Sequence, residues 1–379
     1  MYPMSLINHI IYRIATGCKH ITSFTGSTAK AGLFNNASIT AVNKGITLKE
    51  VAEKAGVSRS AVSRSFTDGA SVSDKTRKKV HAVARELGYQ PNALASSLTT
   101  GRTKLIGLVS NNFHNPVFLE VFDLFTRSLQ DIGLRPLLVN LSDETDPNHT
   151  LQMLQQYSVD GVIIASSTLP PSFAQAFHDE GMPVVHSFAR ANQSPDVCIA
   201  GIDNVQCGRI AATTLIQRGY TDVAFLGGPA SATSTQDRLS GFLEKLSTHD
   251  QVKVTHSFAT AYTFEAGRVA MQAQLKNEPA QAYFCGDDVL SIGALSAIQS
   301  AGLSVPNEIG LIGLNDMEMA GWQNINLTTI RQPIADIIAS SVDLITSLLD
   351  DPTRAVEARL FACHVIERGT LKPVVSSEQ

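Results

Sequence analysis

The first 43 positions of this 379-residue chain contain no acidic residue, tryptophan occurs once, and no long apolar run appears anywhere. Each absence excludes something. A membrane span needs about 18 or more uninterrupted apolar residues, and the earliest apolar patch is broken by Asn8, His9, Tyr12 and Arg13, so none is expected. The five cysteines (Cys18, Cys198, Cys207, Cys285 and Cys363) form an odd set without a Cys-x-x-Cys spacing. They fit neither a disulfide framework nor a zinc site and read as reduced thiols of a cytoplasmic protein. The ten histidines show no His-x-x-x-His spacing, so no metal is expected. Gly227-Gly228-Pro229 lacks the Lys-Ser/Thr of a phosphate loop, and no Gly-x-Gly-x-x-Gly follows a strand-like run. Neither a cofactor nor an enzymatic activity is therefore expected.

What is present is divided by charge. Residues 1–104 hold 15 Lys and Arg against 5 Asp and Glu, whereas the rest of the chain holds 15 against 29. A small basic head on a large acidic body suits a protein of which only the head meets a polyanion such as DNA.

Met1 to Asn43 are rich in Ser, Thr, Asn and Gly and show no sustained helical or strand period. Residues 1–45 read as a disordered extension or as the product of a start placed too early. From Ile46 the pattern changes. Thr47 to Glu50 form a capping box, and Leu48, Val51, Ala52 and Ala55 make an apolar stripe that Gly56 ends. Ser58 then caps a second helix, Arg59 to Arg64, and Ser73 a third that runs through Val80, Val83, Ala84 and Leu87 to Gly88. The polar face of the third carries Lys75, Arg77, Lys78 and Lys79. Two short helices joined by a Gly-containing turn predict a helix-turn-helix over residues 46–90, and 91–104 read as a hinge helix and linker.

Beyond Lys104 apolar runs such as Leu105–Val109, Gly161–Ala165, Val184–Ser187 and Ala282–Cys285 alternate with amphipathic stretches. Buried parallel strands alternating with helices predict an α/β body over 105–372. Its length implies two subdomains, before a tail at 373–379.

Residues 46–108 resemble the headpiece of the lactose-repressor (LacI) family of bacterial transcription regulators. The resemblance is carried by Thr47-Leu48-Lys49-Glu50-Val51-Ala52, Ala55-Gly56-Val57-Ser58, Val62-Ser63-Arg64, Leu87-Gly88-Tyr89 and Pro91-Asn92-Ala93-Leu94-Ala95. It continues in Asp203-Asn204, Gly227-Gly228-Pro229, Arg238, Asp288, Gly293-Ala294-Leu295 and Arg331-Gln332-Pro333. It implies a sequence-specific DNA-binding repressor: a homodimer on a pseudo-palindromic, double-stranded operator, with a periplasmic-binding-protein-like body whose two subdomains take about 105–201 with 331–360 and about 202–330 with 361–372. A small-molecule effector between the subdomains would control DNA affinity, and both induction and co-repression stay open. The rival reading, a solute-binding protein of a sugar uptake system, requires an export signal and leaves the headpiece unexplained.

By position, the resemblance makes Arg59 and Ser60 the base-reading pair, Ser63 and Arg64 base and backbone contacts, and Leu98 the minor-groove wedge. Thr47, Ser58, Asn92 and Ala95 complete the expected DNA-contacting set. Ser96 stands where the family often has Arg and Thr99 where many members have a basic residue, which weakens two expected contacts. In the body, Arg238, Asp288 and Ser234 match effector-binding positions. His114, Asn115, Ser166, Ser167, Arg190, Asn315 and Asp316 are added from their places at strand ends. Asp287 replaces the family's usual Asn, and the mixture of Arg, Asp, Ser and Asn points to a sugar or sugar acid.

Overall fold

A computed structural model describes residues 46–67, 69–91, 97, 101–141, 146–190 and 194–374. The expected extension at 1–45 and most of the hinge, including Asn92, Ala95 and Leu98, lie outside the described residues. The chain divides into two compact units after Pro91.

Among its described residues the first unit contains three helices, α1 (Leu48–Ala55), α2 (Arg59–Ser65) and α3 (Asp74–Leu87). Each begins on a hydroxyl. Thr47 caps α1 with Glu50 reaching back to the Thr47 N–H at 2.6 Å, while Ser58 and Ser73 accept from Ala61 N and Thr76 N, both at 3.2 Å. Gly56 and Gly88 end α1 and α3 at φ 61° and 68°, in the left-handed conformation that releases the chain to turn. The small core consists of Val51, Ala52, Ala55, Val62, Val80 and Ala84, with Phe66 and Tyr89 closing its edge.

In the second unit, one lobe has the strands β1 (Leu105–Ser110), β2 (Arg135–Asn140), β3 (Gly161–Ala165), β4 (Val184–Ser187), β5 (Cys198–Ile202) and, from much later in the chain, β11 (Ala358–Phe361). They are all parallel, in the order β11-β5-β4-β3-β1-β2. One face packs on α4 (Val117–Asp131) and α11 (Ile334–Asp350), the other on α5 (Pro147–Gln156) and α6 (Pro171–Asp179). The other lobe contains β6 (Asp222–Gly227), β7 (Lys253–Phe258), β8 (Ala282–Cys285), β9 (Gly310–Asn315), β10 (Thr329–Arg331) and β12 (His364–Ile366), in the order β12-β10-β9-β8-β6-β7. Only β12 runs antiparallel to its neighbour. Its sheet is covered by α7 (Asn204–Ile216) and α8 (Thr233–Leu246) on one face and by α9 (Phe264–Gln274) and α10 (Asp288–Ser300) on the other. The chain therefore crosses between lobes three times, after β5, after β10 and after β11.

Burial on both faces explains why β1, β3, β8 and β9 read as continuous apolar runs. The edge strand β7, Lys-Val-Thr-His-Ser-Phe, is largely exposed and carries no such signal. The linker reaches the body at Arg102, which donates to the Leu349 carbonyl at 2.6 Å, while the Thr103 and Lys104 N–H groups donate to Asp160 at 2.9 and 2.8 Å.

Two local features place buried polar side chains in the second lobe. Helices α7 and α8 touch through glycines: a Cβ on Gly241 would stand 1.8 Å from the Val205 carbonyl oxygen and one on Gly208 2.1 Å from that of Arg238. That approach sets Asn204 against Arg238. Asp288, with no exposed surface, accepts from the Thr329 hydroxyl and from Met317 N–H at 2.8 Å, tying α10 to β10 and to the chain after β9. Burial, against the pull of the Thr329 hydroxyl and with the push of the Asp287 carboxylate, raises its carboxyl to about 7.

Gly241→Ala is expected to destabilise the protein by about 1–3 kcal/mol through overpacking, although Ala is the better helix former by about 1 kcal/mol. Thermal unfolding checks this, and a variant melting at or above the wild-type temperature would show that the helices simply part. Asp288 generates a pH prediction. Its folded carboxyl holds a proton up to about pH 7, whereas an unfolded Asp releases it near pH 4. The folded state therefore binds the extra proton between these values, so stability falls as pH rises through that interval and levels off above it. The loss is on the order of 4 kcal/mol. Urea unfolding at about pH 5 and about pH 8 should show a shallower slope for Asp288→Asn; an unchanged slope refutes the assignment.

Candidate functional site

The headpiece fixes α2 from behind and leaves its front free. Arg77 donates from both terminal nitrogens, to the Ser65 and Ala70 carbonyls at 3.1 Å each, and His81 Nε2 lies 2.9 Å from the Ser65 carbonyl. Phe66 stacks edge-on against His81 at 4.6 Å. Arg77, expected on the open polar face of α3, is thus committed to holding the end of α2. Lys75, Lys78 and Lys79 are exposed. On α2, Arg59, Ser60 and Arg64 are exposed and Ser63 is half-buried. Neither arginine has a hydrogen-bond or ion-pair partner among the described residues. The Thr47 hydroxyl is committed to Glu50, and that of Ser58 to Ala61 N–H and Ser60.

The body contains a crevice between its lobes at the carboxyl ends of the strands. It is lined by Asn112, Asn115, Ser167, Asn204, Arg238, Tyr262, Asp287, Asn315 and Gln332, with Val117, Phe118, Val121, Phe188 and Ile202 as its apolar wall. Asp287 is 4 % exposed. One carboxylate oxygen caps α10 by accepting from Val289 N–H at 2.7 Å; the other accepts from Asn115 of one lobe at 2.9 Å and from Asn315 of the other at 2.8 Å. Burial raises its pKa, and these donors together with nearby Arg238 oppose that rise. Arg238, also 4 % exposed, donates from Nε to Asn204 Oδ1 at 2.8 Å and from Nη1 to the Gly286 carbonyl. Tyr262 lies across Gly228, whose added Cβ would stand 2.4 Å from the ring, and its hydroxyl is 2.6 Å from that of Thr235.

Three non-glycine residues here hold left-handed backbones: Phe188 (φ 64°), Asn315 (φ 124°) and Asp316 (φ 61°). Such strain persists only where surrounding contacts enforce it, and it concentrates at functional sites. Asn115 to Asp287, Ser234 N–H to the Ser167 carbonyl at 3.3 Å, and Arg190 to Asp237 at 2.9 Å draw the lobes together. The enclosed volume is about 20 Å³, room for about one water. A larger guest requires the lobes to part.

Of the residues expected at this site, Asn115, Ser167, Arg238 and Asn315 line the crevice. The others are corrected. Asp288 lies inside its lobe, committed to Thr329 and Met317, and its neighbour Asp287 takes the place at the crevice. Ser166 has no exposed surface and bonds Asn111 at 2.8 Å, leaving only its neighbour Ser167 of that pair on the wall. Ser234 is 1 % exposed, is absent from the lining, and its hydroxyl has no partner among the described residues. Arg190 clamps Asp237 and Gln236 at an outer groove; His114 is exposed outside the lining; Asp316 is held by Arg331 and Arg368 beside a separate groove. Asn112, Tyr262 and Gln332 went unidentified from sequence, although Gln332 lies in the Arg331-Gln332-Pro333 motif and Gly228 signals a close approach above it. No group of His, Cys, Asp and Glu able to hold a metal occurs among the described residues, and none of their helices is long and apolar enough to cross a membrane.

Residues 47–92 match the model of the bacterial regulatory proteins of the lacI family, and residues 212–371 match that of the periplasmic binding protein-like domain. The chain is 31 % identical to the sucrose operon repressor of Pediococcus pentosaceus over 82 % of its length and 95 % of that protein's. It is also 31 % identical to the ribose operon repressor of Escherichia coli over 86 % of this chain and 99 % of that one. The repressor PurR of Proteus mirabilis is 34 % identical over 76 % of this chain and 85 % of the relative. Among solved structures, the lac repressor dimer bound to operator and the anti-inducer ONPF superposes with a TM-score of 0.78 at 25 % identity, covering 87 % of this chain and all of the other. Headpiece, two-lobed body and these relatives agree: the chain belongs to the lacI family of bacterial regulatory proteins.

Proposed function

We propose that the protein is a cytoplasmic transcriptional repressor without enzymatic activity. A homodimer binds a pseudo-palindromic operator, and a sugar or sugar acid seated between the lobes controls its affinity. The observation that carries the DNA-binding part is the pair of exposed arginines, Arg59 and Arg64, without a partner among the described residues, on a helix locked in place by Arg77 and His81. Arg59 and Ser60, near the helix N-terminus, are placed to read base edges; Ser63 and Arg64 extend the contact, and Lys78 supplies charge toward phosphates. Thr47, Ser58, Asn92, Ala95 and Leu98 complete the assigned interface. A dimer is needed because a few base contacts from one headpiece cannot specify a genomic site.

Amides dominate the crevice, and each carries both donor and acceptor, as a hydroxyl-rich guest requires. Arg238 Nη2 has no partner among the described residues and suits a hydroxyl or a carboxylate. The aromatic pair argues against a purine. Phe118 and Phe188 pack edge-on against each other at 6.2 Å and 62°, instead of standing parallel around a base-wide slot.

Selection of half-sites from random DNA tests the headpiece. Arg59→Ala is expected to change the preferred sequence, at a cost of about 1–3 kcal/mol in discrimination, whereas Lys78→Ala weakens binding to every sequence alike. Identical preferred sites for wild type and Arg59→Ala would remove Arg59 from the readout.

A thermal-shift panel of sugars, sugar acids and nucleosides identifies the effector, and stabilisation by nucleosides alone would overturn the sugar assignment. Arg238→Ala should then bind operator as wild type does but need about 10- to 100-fold more effector to respond, the loss of a charged hydrogen bond of about 1.5–3 kcal/mol. A wild-type response would place Arg238 outside the ligand's reach.

A further inference from the structure

The first lobe contains another cavity, of about 210 Å³. It lies between α6, which contributes Pro171 and Gln175, and the strands β4 and β5, which contribute His186 and Ile199. Pro195 and Val197, from the chain joining those strands, close it. The crevice and this cavity share no lining residue and use opposite faces of the sheet. Val197 and Ile199 belong to the core packed under α5 and α6, whereas Phe118, Phe188 and Ile202 of the crevice belong to the core on the other side.

Two polar atoms on this wall lack a donor. His186 is 1 % exposed, and its Nε2 lies 3.1 Å from the Ser166 carbonyl. A carbonyl only accepts, so the proton is on Nε2. Burial holds the imidazole down at about 4 against the pull of that hydrogen bond, so the ring is neutral and its Nδ1 is an acceptor. Nδ1 has no partner among the described residues. Gln175 turns its Nε2 to Asp179, one helical turn on, at 2.7 Å; its Oε1 is buried without a partner among the described residues. Unmet buried acceptors are destabilising, and native folds keep few of them.

We propose that this cavity is a second small-molecule site, for a neutral six-membered ring carrying an O–H or N–H donor. The donor meets His186 Nδ1, Gln175 Oε1 stands ready for a second donor on the same ring, and the ring lies against Pro171, Pro195, Val197 and Ile199. Volume sets the size class. An apolar cavity of about 150 Å³ accommodates benzene, so this larger one admits such a ring with a substituent. The unmet acceptors set the chemistry, because a guest without a donor leaves them as they were. Charge disfavours an anion: Arg190 at the rim is matched by Asp237 at 2.7 Å, and Asp196 adds a carboxylate beside it. Arg190 also places the cavity beside the contact between the lobes, since the Asp237 it holds is on α8 of the other lobe.

The test uses the full-length protein without DNA or effector. The probes are para-fluorophenol, whose hydroxyl is the donor, and para-fluorotoluene, the same ring with a methyl group in its place. Fluorine NMR of each probe, titrated with protein, gives its Kd. The phenol is expected to bind saturably, and the toluene about tenfold more weakly for want of the hydrogen bond. Methyl NMR locates the guest: Val197 and Ile199 should shift with the phenol, while Val117, Val121 and Ile202 of the crevice stay in place. His186→Phe keeps a ring at the position but removes the acceptor, so this variant should bind both probes alike. No saturable binding of the phenol, equal affinity of wild type for the two probes, or shifts at the crevice methyls instead of at Val197 and Ile199 would each overturn the proposal. So would a preference for the phenol retained by a folded His186→Phe. Where thermal unfolding shows that the variant does not fold, the two wild-type measurements decide by themselves. None of these readouts depends on the effector's being a sugar.

Discussion

The body is organised around one buried carboxylate. Removing an ionised Asp from water costs several kcal/mol unless donors replace the solvent, and Asp287 finds them in three places: the first turn of α10, the chain after β1 and the end of β9. Because Asn115 and Asn315 belong to different lobes and meet at the same oxygen, satisfying this carboxylate also closes the crevice. Asn315 reaches it at φ 124°, a conformation tolerated because its side chain is held at both ends, by Asp287 and by Gln332. A ligand entering here must replace hydrogen bonds as well as fill space. Its affinity therefore depends on how well its own polar groups match those it displaces.

The headpiece divides its polar side chains in the same way, some spent on rigidity and others left for contact. Arg77 and His81 both meet the Ser65 carbonyl at the end of α2, a backbone acceptor that has no further turn to satisfy it. The three hydroxyl caps fix where each helix begins. What is left over on α2, Arg59, Ser60 and Arg64, faces solvent from a backbone with little freedom to move, as a surface that must fit a rigid duplex requires.

Much of the architecture was legible because it rests on local rules. The caps at Thr47, Ser58 and Ser73, the glycine stops at Gly56 and Gly88, and the apolar runs of β1, β3, β4 and β8 each follow from a few adjacent residues. β7, β11 and β12 were not legible: they lie at sheet edges and expose much of their surface, so they lack the continuous apolar signature of a buried strand. The site was legible only in part. Asn115, Ser167, Arg238 and Asn315 line the crevice, whereas Asp287 takes the place one position away from Asp288, the residue expected there. Adjacent residues at a strand end or helix start project in different directions. Which of the two faces the cleft depends on the backbone turn.

The sequence by itself determined a basic three-helix head, an alternating α/β body and the family to which both belong, because capping, periodicity and charge are properties of neighbouring residues. Only the tertiary structure decided that Asp288 supports the lobe while Asp287 faces the crevice, that Arg77 holds a turn, and that Arg190 clamps Asp237 across the lobes. The physical reason is common to all three. Whether a polar side chain supports the fold or is available for function depends on what the rest of the chain brings within hydrogen-bonding distance, and that partner lies across a lobe, a crossover or a helix pair.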